Sequence, residues 1–363
     1  MLAEPLLSLE KDLVASRERL ARITAAFAGE RLLGPKLAIV NPPQWEIGHV
    51  GWFQEHWCLR YQSGKPLRPS MLPNSDSLYD SAAVAHDTRW DLPLPSLEAT
   101  KKYLSNVLDG VLERLRREPG NETLHYFARL ATYHEDMHGE AFHYTCQTLG
   151  YQDPLGNEPV SRNSTIAPDI EFKSQKLILG ATPGKDPFVF DNEKWAHEVE
   201  IAPFRISRNP VSNAQYREYV EGGGKPPRYW KKVGGVWKER RFNRLQILDN
   251  EEPVRHVDWN EAQAYCRWAK RRLPTEAEWE CAVSSKEFGW GAVWEWTSSD
   301  FEPYPGFVVD PYKEYSEPWF GTHKVLRGAS FSTPRRLVRS TFRNFYTAER
   351  GDVFVGFRTC SLS

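Results

Sequence analysis

Apolar residues recur at helical spacing through the first part of the chain, and a polar or Pro/Gly-rich break ends each run. Four helices are predicted, over 6–27, 42–59, 97–117 and 122–149. Pro42-Pro43 would open the second helix, with Asn41 placed to cap it, and Ser96 precedes the third. Four helices at this spacing favour a bundle, in which metal sites are built from side chains on facing helices.

The pattern changes near residue 155. Residues 156–170 are polar and predict a linker, and the remainder alternates as short strands and turns, with strands over 171–179 and 199–206 and one clear helix over 261–270. We therefore predict an α+β protein with a helical bundle at 1–155 and a mixed α+β domain at 171–363. The stretch 64–95 has no periodicity, and a loop of this length is usually functional or disordered.

Composition narrows the function classes. The net charge is −1 and the sequence pI is about 6.8, so neither nucleic acid nor a membrane surface is an expected partner. No basic segment of the signal-peptide type is found at the N-terminus. Five scattered cysteines without a C-x-x-C pair suit reduced thiols and a cytoplasmic location.

His134 and His138 are the strongest chemical signal. They lie one helical turn apart, so both imidazoles project from one face and can chelate Fe(II) or Zn(II). The same letters satisfy H-E-x-x-H, the motif of zinc proteases, with Glu135 as the general base. Two histidines without any ligand are the third interpretation.

The second half resembles the formylglycine-generating-enzyme (sulfatase-modifying factor) family, which implies a C-type-lectin-like mixed α+β fold. The motifs that carry the resemblance follow one another in the family's order, and they are Pro210-Val211-Ser212-Asn213, Pro253-Val254-Arg255-His256-Val257, Arg272-Leu273-Pro274-Thr275-Glu276, Val293-Trp294-Glu295-Trp296 and Gly356-Phe357-Arg358. Residues 327–343 contain no cysteine, so the copper–thiolate chemistry of that family is not expected here.

The first half resembles a DinB-like bundle with the motif H-x-x-x-H-x-E, formed by His134, His138 and Glu140. A DinB-like bundle fused to such a second domain is the plan of the hercynine-dependent sulfoxide synthases of the EgtB and OvoA type. In that family a further histidine in a W-x-x-x-H context completes the metal site, matched here by Trp45 and His49. The resemblance implies Fe(II) held by His49, His134 and His138, with other coordination positions left for O₂ and substrates.

Two other histidine-motif residues are not expected to be ligands. Glu140 points to another side of the helix from His138 and is interpreted as outside the coordination sphere. His56 lies two turns after His49 on the same face and is the less favoured alternative. A zinc protease usually takes its third ligand downstream of the second histidine, so a zinc hydrolase is only a remote alternative here. A non-catalytic binding module is another remote alternative.

The resemblance also implies substrate residues for hercynine, the trimethylated histidine. Its quaternary ammonium group cannot accept a hydrogen bond and is held by aromatic faces. The family's R-N-W segment is matched by Arg343-Asn344-Phe345, so Asn344 and Phe345 are expected to contact hercynine. Gln54 could orient the imidazole, and the active site is expected between the two domains.

Two departures concern the second substrate and the proton donor. Tyr346 stands where enzymes that use γ-glutamylcysteine have an acidic residue, although a later arginine is matched by Arg350. Phe301 stands where the family's proton-donating tyrosine stretch has its acid, and Tyr304 lies nearby. Tyr304 and Tyr346 are therefore the candidate proton donors.

The segments 78–81 and 86–93 resemble the selenoneine synthases of the SenA type, and Arg89 within them could face the donor. A selenosugar lacks the γ-glutamyl amino and carboxylate groups, which agrees with the missing acid. The predicted activity is therefore O₂-dependent formation of a C–Se bond between hercynine and a selenosugar. The alternative is an ergothioneine-type enzyme that joins hercynine to cysteine or γ-glutamylcysteine.

Overall fold

The computed structural model describes residues 4–156 and 168–362, and the chain divides into two compact units, Met1–Gly156 and Asn157–Ser363. Most of the predicted linker, residues 157–167, lies outside the described residues. The first unit is helical and the second is rich in strands, which confirms the α+β class.

The helices of the first unit are α1 Glu4–Thr24, α2 Pro43–Glu55, α3 Ser75–Tyr79, α4 Leu97–Arg117 and α5 Glu122–Leu149. Helix α1 packs on α5, and α2 packs on both α4 and α5. The stripe predicted on the first helix lies inside the bundle, since Leu13 and Ile23 are fully buried. Ser96 and Asn121 cap α4 and α5 by accepting hydrogen bonds from Ala99 N and Leu124 N. The bundle is confirmed.

The start of α2 differs from the prediction. Asn41 does not cap this helix: Pro42 is the N-cap residue and makes no side-chain cap, and Pro43 occupies the first turn, where a missing N–H costs nothing. The Asn41 side chain instead accepts a hydrogen bond from Arg89 at 2.7 Å. A tertiary partner therefore takes the oxygen that the local pattern assigned to the helix.

The strands of the second unit are β1 Ile170–Phe172, β2 Gln175–Leu179, β3 His197–Ile201, β4 Phe204–Ile206, β5 Trp230–Val233, β6 Val236–Arg241, β7 Arg244–Ile247, β8 Arg271–Arg272, β9 Trp294–Asp300, β10 Lys324–Gly328, β11 Asn344–Tyr346, β12 Val355–Phe357 and β13 Cys360–Ser361. Its helices are α6 Asn213–Glu221, α7 Trp259–Trp268 and α8 Glu276–Ala282. The described strands form four sheets, with orders β1-β4-β13-β8, β11-β10-β9-β12, β2-β3 and β5-β6-β7.

Each of the two long strands predicted at the start of this unit is divided. Residues 171–179 contribute to β1 and β2, and 199–206 to β3 and β4, and the two members of each pair lie in different sheets. Pro203 separates β3 from β4, and proline has no N–H to donate to a ladder. The chain therefore leaves the β2-β3 sheet and enters the β1-β4-β13-β8 sheet near a proline, which cannot extend the β3 ladder.

Buried ion pairs tie the second unit together. The Arg358 and Glu295 side chains are both fully buried, and Arg358 Nη2 donates to Glu295 Oε1 at 2.7 Å. Glu295 also accepts from Trp279 Nε1 at 2.8 Å, and Arg358 donates to the backbone oxygens of Ser207 and Arg208. These groups are costly to bury unless every partner is in place.

All five cysteines are free and buried. Among the described residues, no helix combines the length and the apolar character needed to cross a membrane.

The Arg358–Glu295 pair should dominate the stability of the second unit. We expect Glu295→Ala to lower the free energy of unfolding by about 3–5 kcal/mol, because it leaves the Arg358 charge buried and unpaired. The matched control is Glu198→Ala, which removes an exposed pair with Lys176 and should cost less than about 1 kcal/mol. Urea unfolding followed by tryptophan fluorescence measures both; equal effects would contradict the assignment.

Candidate metal centre

Three histidines from two helices converge inside the bundle. His49 comes from α2, and His134 and His138 come from successive turns of α5. One nitrogen from each ring lies within 4.8 Å of the others, and in the described part of the chain this is the one group of three potential ligands that meets this criterion. His49 and His134 are buried, and His138 is partly exposed. The sequence spacing and the bundle together bring the three predicted ligands to one point.

The hydrogen bonds of two rings determine which nitrogen is available. His49 Nδ1 lies 2.7 Å from the backbone oxygen of Tyr79, and His138 Nδ1 lies 2.6 Å from Glu46 Oε1. A carbonyl or carboxylate oxygen only accepts, so both Nδ1 atoms carry the proton and both Nε2 lone pairs are left for a metal. His138 Nε2 faces His134 Nε2 at 3.2 Å.

The electrostatic surroundings keep two of the rings neutral. Burial lowers the pKa of His49 and of His134 well below the ordinary value, and the neighbouring His138 lowers both further. A metal ligand must be an unprotonated imidazole, so protons do not compete for these sites near pH 7. Neutral imidazoles are donors that suit Fe, Zn, Cu or Ni ions.

Aromatic rings hold the histidines in place. Trp45 stacks on His49 with ring centroids 5.0 Å apart, and Phe53 stacks on His134 at 3.6 Å with the planes nearly parallel. Trp45 precedes His49 by one helical turn, which is why the W-x-x-x-H spacing allows the stack. These contacts restrict ring rotation before any metal binds.

The stretch 64–95 forms a wall beside α2. It contains α3. The backbone oxygen of Leu78 accepts a hydrogen bond from Trp45 Nε1, and the backbone oxygen of Tyr79 accepts one from His49 Nδ1. Trp52 Nε1 donates to Asp76 at 2.7 Å. Gly48 lets this wall approach, because a Cβ at this position would lie 2.2 Å from ring carbons of Tyr79. The loop is therefore part of the histidine site.

Comparison with known proteins matches both parts of the chain to known domain families. Residues 9–142 match the DinB superfamily, and residues 176–292 and 289–361 match the sulfatase-modifying factor enzyme 1-like domain. The hercynine oxygenase of Mycolicibacterium smegmatis is 31% identical, over 97% of this chain and 98% of that protein. The chain belongs to the hercynine oxygenase family.

Two further relatives are similar to this chain in sequence. The hercynine oxygenase of Mycobacterium tuberculosis is 29% identical over 88% of this chain and 91% of its own length. Ergothioneine biosynthesis protein 1 of Schizosaccharomyces pombe is 28% identical over 47% of this chain and 27% of that protein. Family membership makes this chain an oxidoreductase, as predicted from its motifs.

Other predicted residues of the first unit are held by neighbouring side chains. Gln54 is buried, and its Oε1 accepts a hydrogen bond from Arg17 Nη2 at 2.9 Å. Arg17 also pairs with Glu135, so this carboxylate is directed towards α1. Arg89 lies 3.8 Å above the Trp45 ring, where its hydrogen bonds to Asn41, Ser81 and Val84 fasten the loop.

Two other residues considered as ligands, His56 and Glu140, lie outside the histidine cluster. His56 packs against Trp52 and Trp57, and it is not among the converging histidines of the described residues. Glu140 is buried, and its charge acts on His143. His56 lies two turns beyond His49 along the chain, and Glu140 points to another side of its helix from His138, so each side chain meets other neighbours.

Arg343 and Tyr304 belong to a buried network of the second unit. Arg343 donates to both oxygens of Glu276 at 2.9 Å and to the backbone oxygens of Asn192 and Glu302. The Tyr304 hydroxyl donates to Glu276 at 3.2 Å, and burial together with Glu276 raises the pKa of Tyr304 above its ordinary value. Both side chains are thus engaged with the scaffold.

The remaining predicted residues surround β11. Phe301 is fully buried and stacks on Phe345 with centroids 4.1 Å apart. Asn344 and Tyr346 are partly exposed, and Asn344 accepts from Phe345 N. Arg350 forms two hydrogen bonds to Asp352 and lies 4.8 Å from the centre of the Tyr346 ring. Strand β11 therefore carries three of the predicted substrate and proton-donor positions, and Phe301 and Arg350 lie beside it.

Sequence reasoning missed Glu46 and Tyr79. Glu46 stands one turn before His49, and a carboxylate at that spacing from a candidate ligand was an available signal. Tyr79 acts through its backbone oxygen, which no side-chain pattern reveals.

The close approach of the Tyr79 ring to Gly48 allows the packing of residues 64–95 against α2 to be tested. Gly48→Ala should lower the free energy of unfolding by about 1–3 kcal/mol, because the added methyl group displaces Tyr79. It should also weaken metal binding, since the Tyr79 oxygen then leaves His49 Nδ1. Alanine ordinarily stabilises a helix relative to glycine, so the predicted sign is opposite to the usual one.

The matched control is Gly120→Ala, where an added Cβ meets nothing within 4 Å. Thermal unfolding and Zn(II) titration measure the two effects. Unchanged stability in Gly48→Ala would show that Tyr79 does not pack as described.

Proposed function

We propose that this chain is a mononuclear non-haem Fe(II), O₂-dependent oxidoreductase that joins hercynine to a selenosugar through a C–Se bond. The observation that carries the proposal is the convergence of three histidine nitrogens, with the Nδ1 atoms of His49 and His138 hydrogen-bonded to oxygen acceptors, in a member of the hercynine oxygenase family. Fe(II) in this site would supply the open coordination positions and the redox chemistry for oxidation by O₂.

The protein residues would bind, orient and shield. His49, His134 and His138 would hold the metal, and Trp45 and Phe53 would keep two of the rings in position. We assign hercynine contacts to Asn344 and Phe345, of which Phe345 offers an aromatic ring for the quaternary ammonium group. Gln54, Arg89 and Arg343 are also assigned to substrate binding, and each is held in place by protein groups.

The choice of donor rests on the surroundings of β11. Phe301, which stands in the proton-donor stretch, is buried against Phe345 and has no acidic hydrogen to give. Tyr346 supplies a neutral side chain where the γ-glutamylcysteine enzymes carry an acid, and Arg350 is engaged with Asp352. A selenosugar, whose sugar part carries no charge, suits these surroundings better than a γ-glutamyl group. The amino and carboxylate charges of a γ-glutamyl group need partners when they are buried.

The second candidate is an ergothioneine-type synthase that uses cysteine or γ-glutamylcysteine. The names of the relatives favour it, because they refer to hercynine oxygenation and ergothioneine biosynthesis. A zinc hydrolase is disfavoured, since Glu135, which would be its general base, is paired with Arg17 at 2.7 Å.

Tyr346 is the better proton-donor candidate of the two tyrosines. Tyr304 is buried and donates its hydroxyl hydrogen to Glu276, whereas Tyr346 is partly exposed. A cytoplasmic location is part of the proposal and rests on the five free cysteines.

The donor assay tests the proposal. The protein is loaded with Fe(II) without oxygen, then given O₂, hercynine and one donor: a selenosugar, cysteine or γ-glutamylcysteine. We expect mass spectrometry to find a hercynine adduct containing selenium with the selenosugar and at least tenfold less product with either thiol. A product from a thiol alone would establish the second candidate.

The metal ligands are tested separately. His49→Ala, His134→Ala and His138→Ala should each lose bound iron and at least about 99% of the product, because a site with two ligands binds the metal far more weakly. His56→Ala is the matched control and should retain both. Iron is measured by elemental analysis; iron loss in His56→Ala comparable to that in the other three would refute the ligand assignment.

A further inference from the structure

Glu46 is a buried acid that touches a candidate metal ligand. It lies on α2 and is 2% exposed, and its Oε1 accepts a hydrogen bond from His138 Nδ1 at 2.6 Å. The contact joins the two helices that carry the histidines. Glu46 thus lies on the far side of the His138 ring from the Nε2 atom that faces the cluster.

The charge of Glu46 is compensated differently from the charges of two other buried acids of this unit. Glu135 pairs with the cation of Arg17, whereas Glu55 accepts hydrogen bonds from the neutral hydroxyl groups of Ser70 and Tyr103 at 2.6 Å. Within residues 4–156 and 168–362, no lysine or arginine forms an ion pair with Glu46. A buried carboxylate is costly unless a cation compensates it.

Arg89 is the cation whose charge is felt at Glu46, but its geometry does not make a pair. Its guanidinium lies over the Trp45 ring, and its hydrogen bonds go to Asn41, Ser81 and Val84. The charge of Glu46 can instead be compensated through His138. A divalent cation on His138 Nε2 would place two positive charges on the opposite side of the imidazole ring from Glu46.

The two ligands with described Nδ1 partners are therefore unequal. His49 donates to a neutral backbone carbonyl, whereas His138 donates to a carboxylate. A carboxylate that accepts the Nδ1 hydrogen increases the electron density at Nε2 and makes that nitrogen a stronger metal ligand. The asymmetry comes from Glu46, which the sequence places three residues before His49.

We propose that Glu46 is a positioning residue of the metal centre, whose negative charge acts through His138 to set the affinity and the ligand field of the bound metal. The inference rests on the proposed metal site and goes beyond it. The residue itself does not contact the metal. Its role is to fix the His138 ring and to make its Nε2 a stronger donor than that of His49.

Co(II) is the probe, because its visible absorption reports the ligand field and needs no turnover. The full chain is titrated with Co(II) as wild type, Glu46→Gln and Glu55→Gln. Glu46→Gln keeps the shape and can accept the His138 hydrogen bond but removes the charge. Glu55→Gln removes a buried charge from the same helix without touching a histidine of the cluster.

We expect Glu46→Gln to bind Co(II) about 10–100-fold more weakly and to shift the visible bands, while Glu55→Gln binds as the wild type does. The stabilisation that saturating metal adds over each variant's own metal-free form should fall by about 1.4–2.7 kcal/mol in Glu46→Gln, the same fold-change as a free energy. This comparison removes any effect of the substitution on the metal-free fold.

The outcomes separate the two proposals. Absence of Co(II) binding by the wild type refutes the metal centre itself. Binding by the wild type with equal affinity in Glu46→Gln refutes the role of Glu46 alone, and so does equal weakening in both variants.

Proton NMR of the Co(II) wild type supplies a test that needs no folded variant. The proton on His138 Nδ1 should give a slowly exchanging, metal-shifted signal. A rapidly exchanging proton at this position would contradict the contact with Glu46.

Discussion

Two hydrogen bonds, from His49 to the Tyr79 backbone and from His138 to Glu46, organise the three-histidine cluster. Each directs one imidazole by occupying its Nδ1, so that the Nε2 atoms point to a common place. Each also links α2 to another element: the first to the wall formed by 64–95, the second to α5. The packing of the bundle and the state of the ligands are thus aspects of the same contacts.

The second unit is stabilised in a different manner. Its strands are short, and buried arginines link separate segments of the unit through carboxylates and backbone oxygens, as Arg358 does with Glu295 and Arg343 with Glu276. Such groups specify one arrangement, because each lost partner leaves a charge in an apolar place. This explains why family motifs such as W-E-W and G-F-R are dominated by residues of the scaffold.

Much of the fold was predictable because its signals are local. Helix periodicity, the Ser96 cap and the one-turn spacing of His134 and His138 involve neighbours in sequence, and the structure agrees with them. The two errors have different causes. A distant partner competed for Asn41, which serves Arg89 instead of a helix end. The predicted strand at 199–206 is divided for a local reason, because Pro203 has no N–H to donate to a ladder. Local propensity cannot anticipate a partner that folding brings from elsewhere.

The amino-acid sequence was sufficient for the fold class, the family and the three candidate ligands, since these depend on spacing and on motifs that persist along the chain. Folding decided the rest. It buried His49 and His134 so that they stay neutral, and it set Glu46 behind His138. It also engaged Arg343 with Glu276 inside the scaffold. Burial and long-range hydrogen bonds create these properties, and both exist only when segments far apart in sequence are packed together.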